Sequence, residues 1–178
     1  MKSKILFRIF LILAISLIDR NISVARGKET PLNRDGISFS IANGWSIISN
    51  DSVGINAYYV SAERSGARST GLLTVTWLNE VKSPLETIRM HQKTMKASNI
   101  YRNPGIEFTS VIPDKFAGYK CQSCLYTTIV KEQKLDGVIY CFTSAQKTIT
   151  IFFQTGHGDI KINQKAFSLL KSTFNCRD

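Results

Sequence analysis

From Tyr119 onward the chain repeats one arrangement: a run of strand-forming residues, a short polar break, then another run. Tyr119 to Val130, Val138 to Thr143 and Thr148 to Gln154 are rich in β-branched and aromatic residues, which fit a pleated, half-buried surface. Asp136-Gly137 and Ser144 to Lys147 read as turns between them. Connections this short join antiparallel neighbours, because a parallel pair needs a crossover of about a dozen residues or more. The C-terminal half is therefore expected to be an antiparallel meander.

The N-terminal half adds strands of the same kind. Ile37-Ser38-Phe39-Ser40-Ile41 alternates with period two, the mark of a half-buried strand. Asn43-Gly44 turns it, and Trp45 to Ile48 continues it. Ile55 to Val60, Leu72 to Leu78 (LLTVTWL) and Gly105 to Ile112 read as further strands.

Two segments break the β pattern. Ser83-Pro84-Leu85-Glu86 is a capping box with proline at the first helical position, where its fixed φ suits the helix. Leu85, Ile88, Gln92, Met95 and Asn99 then share one face at helical spacing, with Arg89, Lys93 and Lys96 beside it. A second helix is expected from Asp159, a candidate N-cap, with Phe167, Leu170 and Phe174 as its apolar stripe. Two amphipathic helices bury their stripes by packing on a sheet, here of six to eight strands, so the fold class is α+β.

Composition and length agree with one domain. The 178 residues are 43% hydrophobic and 20% charged, which excludes disorder, collagen-like repeats and a polytopic membrane protein. The first 25 residues stand apart. Lys2, Lys4 and Arg8 precede an apolar run from Ile9 to Ile18, and Ser23 and Ala25 supply a small-x-small exit. That is the pattern of a secretory signal. The run is about half the roughly 20 residues that span a bilayer. An uncleaved anchor or a buried helix are the alternatives. The expected organisation is a leader over 1–25 and one domain over 26–178, placed in a periplasm or secreted. Cleavage would leave 19 basic and 12 acidic residues, a charge of +7 against +10 for the whole chain. Such a domain is drawn to anionic surfaces. No RNP-type, zinc-finger or basic-helix signature points to nucleic acid.

Taken in order, these elements resemble the PsbP-like superfamily. The matching residues are Ile37–Ile41 followed by Asn43-Gly44-Trp45 as first strand and Gly-Trp corner. LLTVTWL then precedes a helix opened by Ser83-Pro84-Leu85. The meander follows Phe116-Ala117-Gly118, and the last helix closes on Phe167 to Phe174. The resemblance spans about 36–176 and implies an αβα sandwich around a central antiparallel sheet. It implies no fixed activity and no cofactor. Members mostly bind other proteins as assembly factors, chaperones or inhibitors of secreted toxins.

Cys121, Cys124, Cys141 and Cys176 are an even set in an apparently exported chain, so disulfides are the expectation. Residues three apart on a strand face opposite ways, which argues against a Cys121–Cys124 bridge. A hairpin turning near Glu132-Gln133 would set Cys124 opposite Cys141, leaving Cys121 for Cys176. Loop entropy gives the latter bridge about 4 kcal/mol. The alternatives are a redox dithiol at Cys121-Gln122-Ser123-Cys124 or a zinc site. The strand-like flanks oppose the first, and the lack of a second CxxC opposes the second.

No catalytic motif is present in the form of a Gly-x-Ser-x-Gly elbow, a phosphate loop or a dinucleotide fingerprint. His91 reads as a packed residue of the first helix. His157, between two glycines before the last helix, would need a nucleophile and an orienting acid to do hydrolysis. Trp77 reads as core. Tyr58 and Tyr59 must face opposite ways on a strand, so at least one is expected to be exposed. With Arg64, Arg68 and His157 they are the candidate partner contacts. The leading expectation is a non-enzymatic protein-binding module, an immunity-type inhibitor of a secreted toxin or an escort factor in the envelope. An envelope enzyme, either a thiol oxidoreductase or a hydrolase, is one alternative. The other is a binder of anionic surfaces through Arg89, Lys93, Lys96 and the lysines of the last helix.

Overall fold

The computed structural model describes residues 29–66, 70–101 and 105–177. The leader over 1–25 and Arg68 lie outside them. Eleven strands and two α-helices run in the order β1 (Thr30–Arg34), β2 (Ile37–Ile41), β3 (Trp45–Val53), β4 (Ala57–Arg64), β5 (Leu72–Leu78), α1 (Pro84–Ala97), β6 (Ile106–Phe108), β7 (Ile112–Phe116), β8 (Tyr119–Val130), β9 (Gln133–Ser144), β10 (Lys147–Gly156), α2 (Ile160–Thr173) and β11 (Asn175–Cys176) among the described residues. The chain is α+β and mostly sheet.

Every strand pair is antiparallel, as the short connections require. The strands divide into two sheets, not the single sheet of six to eight expected. The larger runs β3-β4-β5-β10-β9-β8-β6, with β7 also on the outer edge of β8. The smaller is β1-β2-β11. The alternation of Ile37–Ile41 shows in its burial, but that face closes over the large sheet from outside it. The indole N–H of Trp77 on β5 donates to Asp35 Oδ2 at 3.1 Å, tying the two sheets together.

The hairpins set the register. β8 and β9 turn at Lys131-Glu132, and β9 and β10 at Ala145-Gln146, all four residues having positive φ between 48° and 66°. Two such residues in succession make the tight turn whose twist matches the strands it joins. Asp136-Gly137 is therefore mid-strand on β9 and not a turn. Gly137 is needed there because the Tyr126 ring lies across it, where a Cβ would overlap the ring. From that position the Tyr126 hydroxyl donates to Gln154 Oε1 at 3.1 Å, both groups being buried.

Each helix packs on one alternate set of sheet residues. α1 begins at the expected cap, Ser83 Oγ accepting from the Glu86 N–H. Its buried residues are Thr87, Ile88, His91 and Met95, a stripe rotated from the expected one; Asn99 is exposed. Ile88 and Met95 join a cluster with Cys124, Tyr126, Ile139, Cys141 and Phe152. Leu170 and Phe174 join the other cluster with Phe39, Phe116, Phe142 and Phe153, against which Phe167 of α2 also packs. Asp159 stands at the N-cap of α2 without capping it. Its Oδ2 accepts from Thr70 Oγ1 at 2.8 Å and from Arg64 at 3.2 Å, which pins the end of β4 to the start of α2.

Candidate functional site

Most residues nominated from the sequence are structural. Tyr58 and Tyr59 do face opposite ways, but both are buried, because β4 is an inner strand covered on both faces. The Tyr58 hydroxyl donates to Asn50 Oδ1 and accepts from Arg34, each at 2.7 Å, and its ring packs on Trp77. The Tyr59 hydroxyl accepts from Ser49 Oγ at 2.7 Å. Arg64 is held by Asp159. Among the described residues of that partner-contact set, His157 alone presents an open side chain, 65% exposed; the lysines and arginine nominated for anionic surfaces, Arg89, Lys93, Lys96, Lys161 and Lys165, are exposed as well.

The four cysteines are free thiols, a correction to the expected disulfides. The turn lies one residue earlier than expected, which moves the register by two: Cys124 faces Ile139, and Cys141 faces Gln122. Cys124 and Cys141 are thus diagonal neighbours, a placement of about 7 Å, beyond the roughly 4 Å between Cβ atoms that a disulfide needs. Cys121 and Cys176 share a cluster, but Cys176 is reached from β8 by the far end of Tyr119, whose hydroxyl accepts from its N–H at 2.9 Å. Burial, and after it the Asp114 carboxylate, pushes the Cys121 thiol up to about 11. Burial pushes Cys141 to about 11 and raises Cys124 as well. Such thiols are poor nucleophiles and poor metal ligands. Among the described residues no group of His, Cys, Asp or Glu is placed to hold a metal ion.

The surface most open to a partner was not nominated. On β8, Ser123, Leu125, Thr127 and Ile129 point to the face that α2 covers elsewhere. Directly across from them in register stand Ile112 on β7 and Tyr140, Val138, Asp136 and Lys134 on β9, so all share that face. α2 lies over β10 and β9: Phe167 stacks on Phe153 at 4.7 Å and on Tyr140 at 5.9 Å. Its C-terminal end reaches the β7–β8 hairpin, where Phe167 packs on Phe116 at 6.0 Å and Phe174 on Tyr119 at 5.9 Å, but the stretch of β8 from Leu125 to Ile129 stays uncovered. Leu125 is left 57% exposed, Ile112 54% and Ile129 38%. These three aliphatic side chains form an open strip beside the half-buried Tyr140 and Phe167. Nothing in the local sequence marks it, since apolar and hydroxyl side chains mix on both faces of β8, with Leu125 and Ile129 beside Ser123 and Thr127 on this one.

Polar groups pin the strip at one end and midway along it. Asp114 Oδ2 accepts from Ser123 Oγ at 2.9 Å. Asp136 Oδ1 accepts from Thr127 Oγ1 at 3.1 Å, and its Oδ2 pairs with His157 Nδ1 at 2.7 Å. Burial, with Asp114 and Cys121 adding to it, raises the Tyr140 hydroxyl. The His157–Asp136 pair supplies the orienting acid a catalytic histidine needs. The Thr127 hydroxyl, however, is engaged by that same carboxylate and not by the imidazole. The arrangement therefore holds loop to strand, with an apolar surface next to it. On the other side of the β7–β8 hairpin, a cavity of about 610 Å³ lies against the first turn of α1, lined by Leu85, Pro113, Lys115, Lys120 and Gln122 among others.

Solved structures share this architecture. Cyanobacterial PsbP from Synechocystis sp. PCC 6803 superposes with a TM-score of 0.57 at 17% identity, over 90% of this chain and 99% of that one. The chain has a PsbP-like fold. LpqN of Mycobacterium tuberculosis, described as involved in cell envelope biogenesis, superposes with a TM-score of 0.55 at 10% identity, over 84% and 91% of the two chains. A protein of Bacteroides thetaiotaomicron gives 0.55 at 12% identity, over 86% of this chain and 50% of that one. No family model matches the sequence, and no curated protein matches it. A PsbP-like fold at these identities fixes architecture and leaves activity to the surface. Among the described residues no helix is long and apolar enough to cross a membrane.

Proposed function

We propose that this chain is a non-enzymatic, extracytoplasmic protein-binding module that docks its partner on the open strip of β8. The carrying observation is the exposure of Ile112, Leu125 and Ile129 on one face, along the stretch of β8 that α2 leaves uncovered. Large aliphatic side chains left exposed together on one sheet face are the kind of surface that partners cover. Leu125 is central, with Val138 and Tyr140 beside it on β9, the Asp114 carboxylate beyond Ile112 and the Asp136 carboxylate beside Thr127, so it has the place of an apolar anchor with polar groups around it. The frame behind it, in this reading, is an αβα layering that keeps the strip rigid. The leader-like 1–25 and the involvement of LpqN in cell envelope biogenesis support export of the 26–178 domain. Neutralising a secreted toxin and escorting an envelope component are the two forms this function takes.

The test is cross-linking in the envelope of expressing cells, followed by recovery of the chain and of its Leu125→Glu variant. Leu125 is exposed, so the variant is expected to unfold at an unchanged urea concentration. A stoichiometric partner recovered with the unmodified chain and lost with Leu125→Glu is the expected result. A partner retained equally by both, or none at all, overturns the proposal.

A further inference from the structure

A second surface stands apart from the strip, on the solvent side of α2. The helix presents Asn163, Ala166 and Leu170 to the core. Turning 100° per residue from that stripe places Lys161 and Lys165 on the opposite side, with Ile162 and Leu169 at i and i+7 along their flank. Ile162 is 57% exposed and Leu169 half-buried, while Lys161 and Lys165 are exposed. All 14 residues of α2 include three lysines and no aspartate or glutamate. The nearest acid, Asp159, is already engaged by Arg64 and Thr70. An exposed isoleucine and a leucine in line, bordered by lysines without a compensating acid, have the composition of a helix that lies flat in a membrane interface.

We infer that the Lys161–Ile162–Lys165–Leu169 face of α2 rests on a bilayer surface carrying anionic headgroups. The lysine ammonium groups meet the lipid phosphates, and Ile162 and Leu169 enter at the level where headgroups join acyl chains. Charge selects the occupant: a cationic face on a chain of net charge +10 is repelled by basic partners and drawn to anionic ones. The contact is reversible, since it has no spanning helix and only two apolar side chains. It leaves the β8 strip free, because Leu125 and Ile112 lie past the opposite flank of α2, the one that carries Phe167 and Ile160.

The fold provides its own control. Arg89, Lys93 and Lys96 make a comparable basic row on α1. α1 packs on the other set of sheet residues, with Ile139 and Cys141, so its row cannot meet the same plane as α2. The experiment measures partition of the full chain onto vesicles of phosphatidylcholine with 30% phosphatidylglycerol at low salt, by sedimentation. It compares Lys161→Glu/Lys165→Glu with Arg89→Glu/Lys93→Glu, two variants of equal net charge and the same leader. Each lysine at such a surface contributes about fivefold in partition, so the α2 pair is expected to weaken it at least about 20-fold. The α1 pair is expected to change it less than about threefold. Ile162→Ser is expected to weaken it about fivefold with the charge untouched. Equal effects of the two charge pairs would show attraction by net charge alone, and no effect of the α2 pair would remove the surface altogether; either overturns the inference. Circular dichroism of each variant confirms the fold, since all the substituted residues are on the surface.

Discussion

Replacing Gly137 with alanine adds one methyl group and is expected to displace a ring. Gly137 is paired with Tyr126 on one side and Gln154 on the other, at the centre of the large sheet. The Tyr126 ring covers it, stacked on Phe152 at 5.3 Å and tilted against Phe108 at 5.9 Å. A Cβ at position 137 would occupy the place of the ring's outer atoms. The ring must then leave its rotamer, an overpacking effect of about 1–3 kcal/mol. Its hydroxyl leaves Gln154 Oε1 buried without that donor, which costs about 1–3 kcal/mol more. Gly137→Ala is therefore expected to destabilise by about 4 kcal/mol in urea unfolding followed by fluorescence. The decisive comparison is the same substitution on a Tyr126→Leu background. There the methyl group meets no ring, and replacing a glycine inside a strand gains about 0.5–1 kcal/mol. A cost under about 1 kcal/mol in the unmodified chain, or the same cost on both backgrounds, refutes the reasoning.

Lys131→Asn/Glu132→Gly gives the β8–β9 turn residues that tolerate positive φ at both positions, and is expected to raise stability by about 1 kcal/mol or more with the strand register unchanged by NMR. Burial pushes the His91 imidazole from 6.5 down to about 4. Between those values the unfolded chain binds a proton that the folded chain refuses, so this contribution is intact above pH 6.5 and falls by about 3 kcal/mol on going to pH 4. Urea titrations from pH 8 to 4 check it, and His91→Gln is expected to lose that part of the slope. Thiol counting is expected to find Cys121, Cys124 and Cys141 slow to react in the folded chain, and four titratable thiols once it is unfolded without reductant. Fewer than four would show bridges that the register does not provide.

Local signals were legible where one residue type has one use. LLTVTWL is strand β5 over its full length, Tyr119–Val130 is β8, and Ser83-Pro84-Leu85-Glu86 opens α1. Signals with two uses misled. Asp136-Gly137 has the composition of a turn, yet its glycine answers to a tyrosine two strands from Gln154. Lys131-Glu132 and Ala145-Gln146 turn the chain without the asparagine or glycine that marks such turns, so the register of the cysteines could not be read. Thr87 is buried on α1 because its hydroxyl donates to the Ser83 carbonyl within the helix, which a count of apolar residues does not register. The β8 strip was invisible for a different reason. Whether Leu125 is core or surface depends on how far α2 reaches across the sheet, a property of packing and not of the residues around it.

The most direct measurement places a photo-cross-linking amino acid at position 125, and separately at 55 and 81, in cells that export the chain. Ile55 and Val81 are as exposed as Leu125 or more, at 95% and 60%, but neither borders the strip. The expected result is a discrete adduct from position 125 and none from the other two. Adducts of equal yield at all three positions, or a silent position 125, would contradict a docking surface on β8.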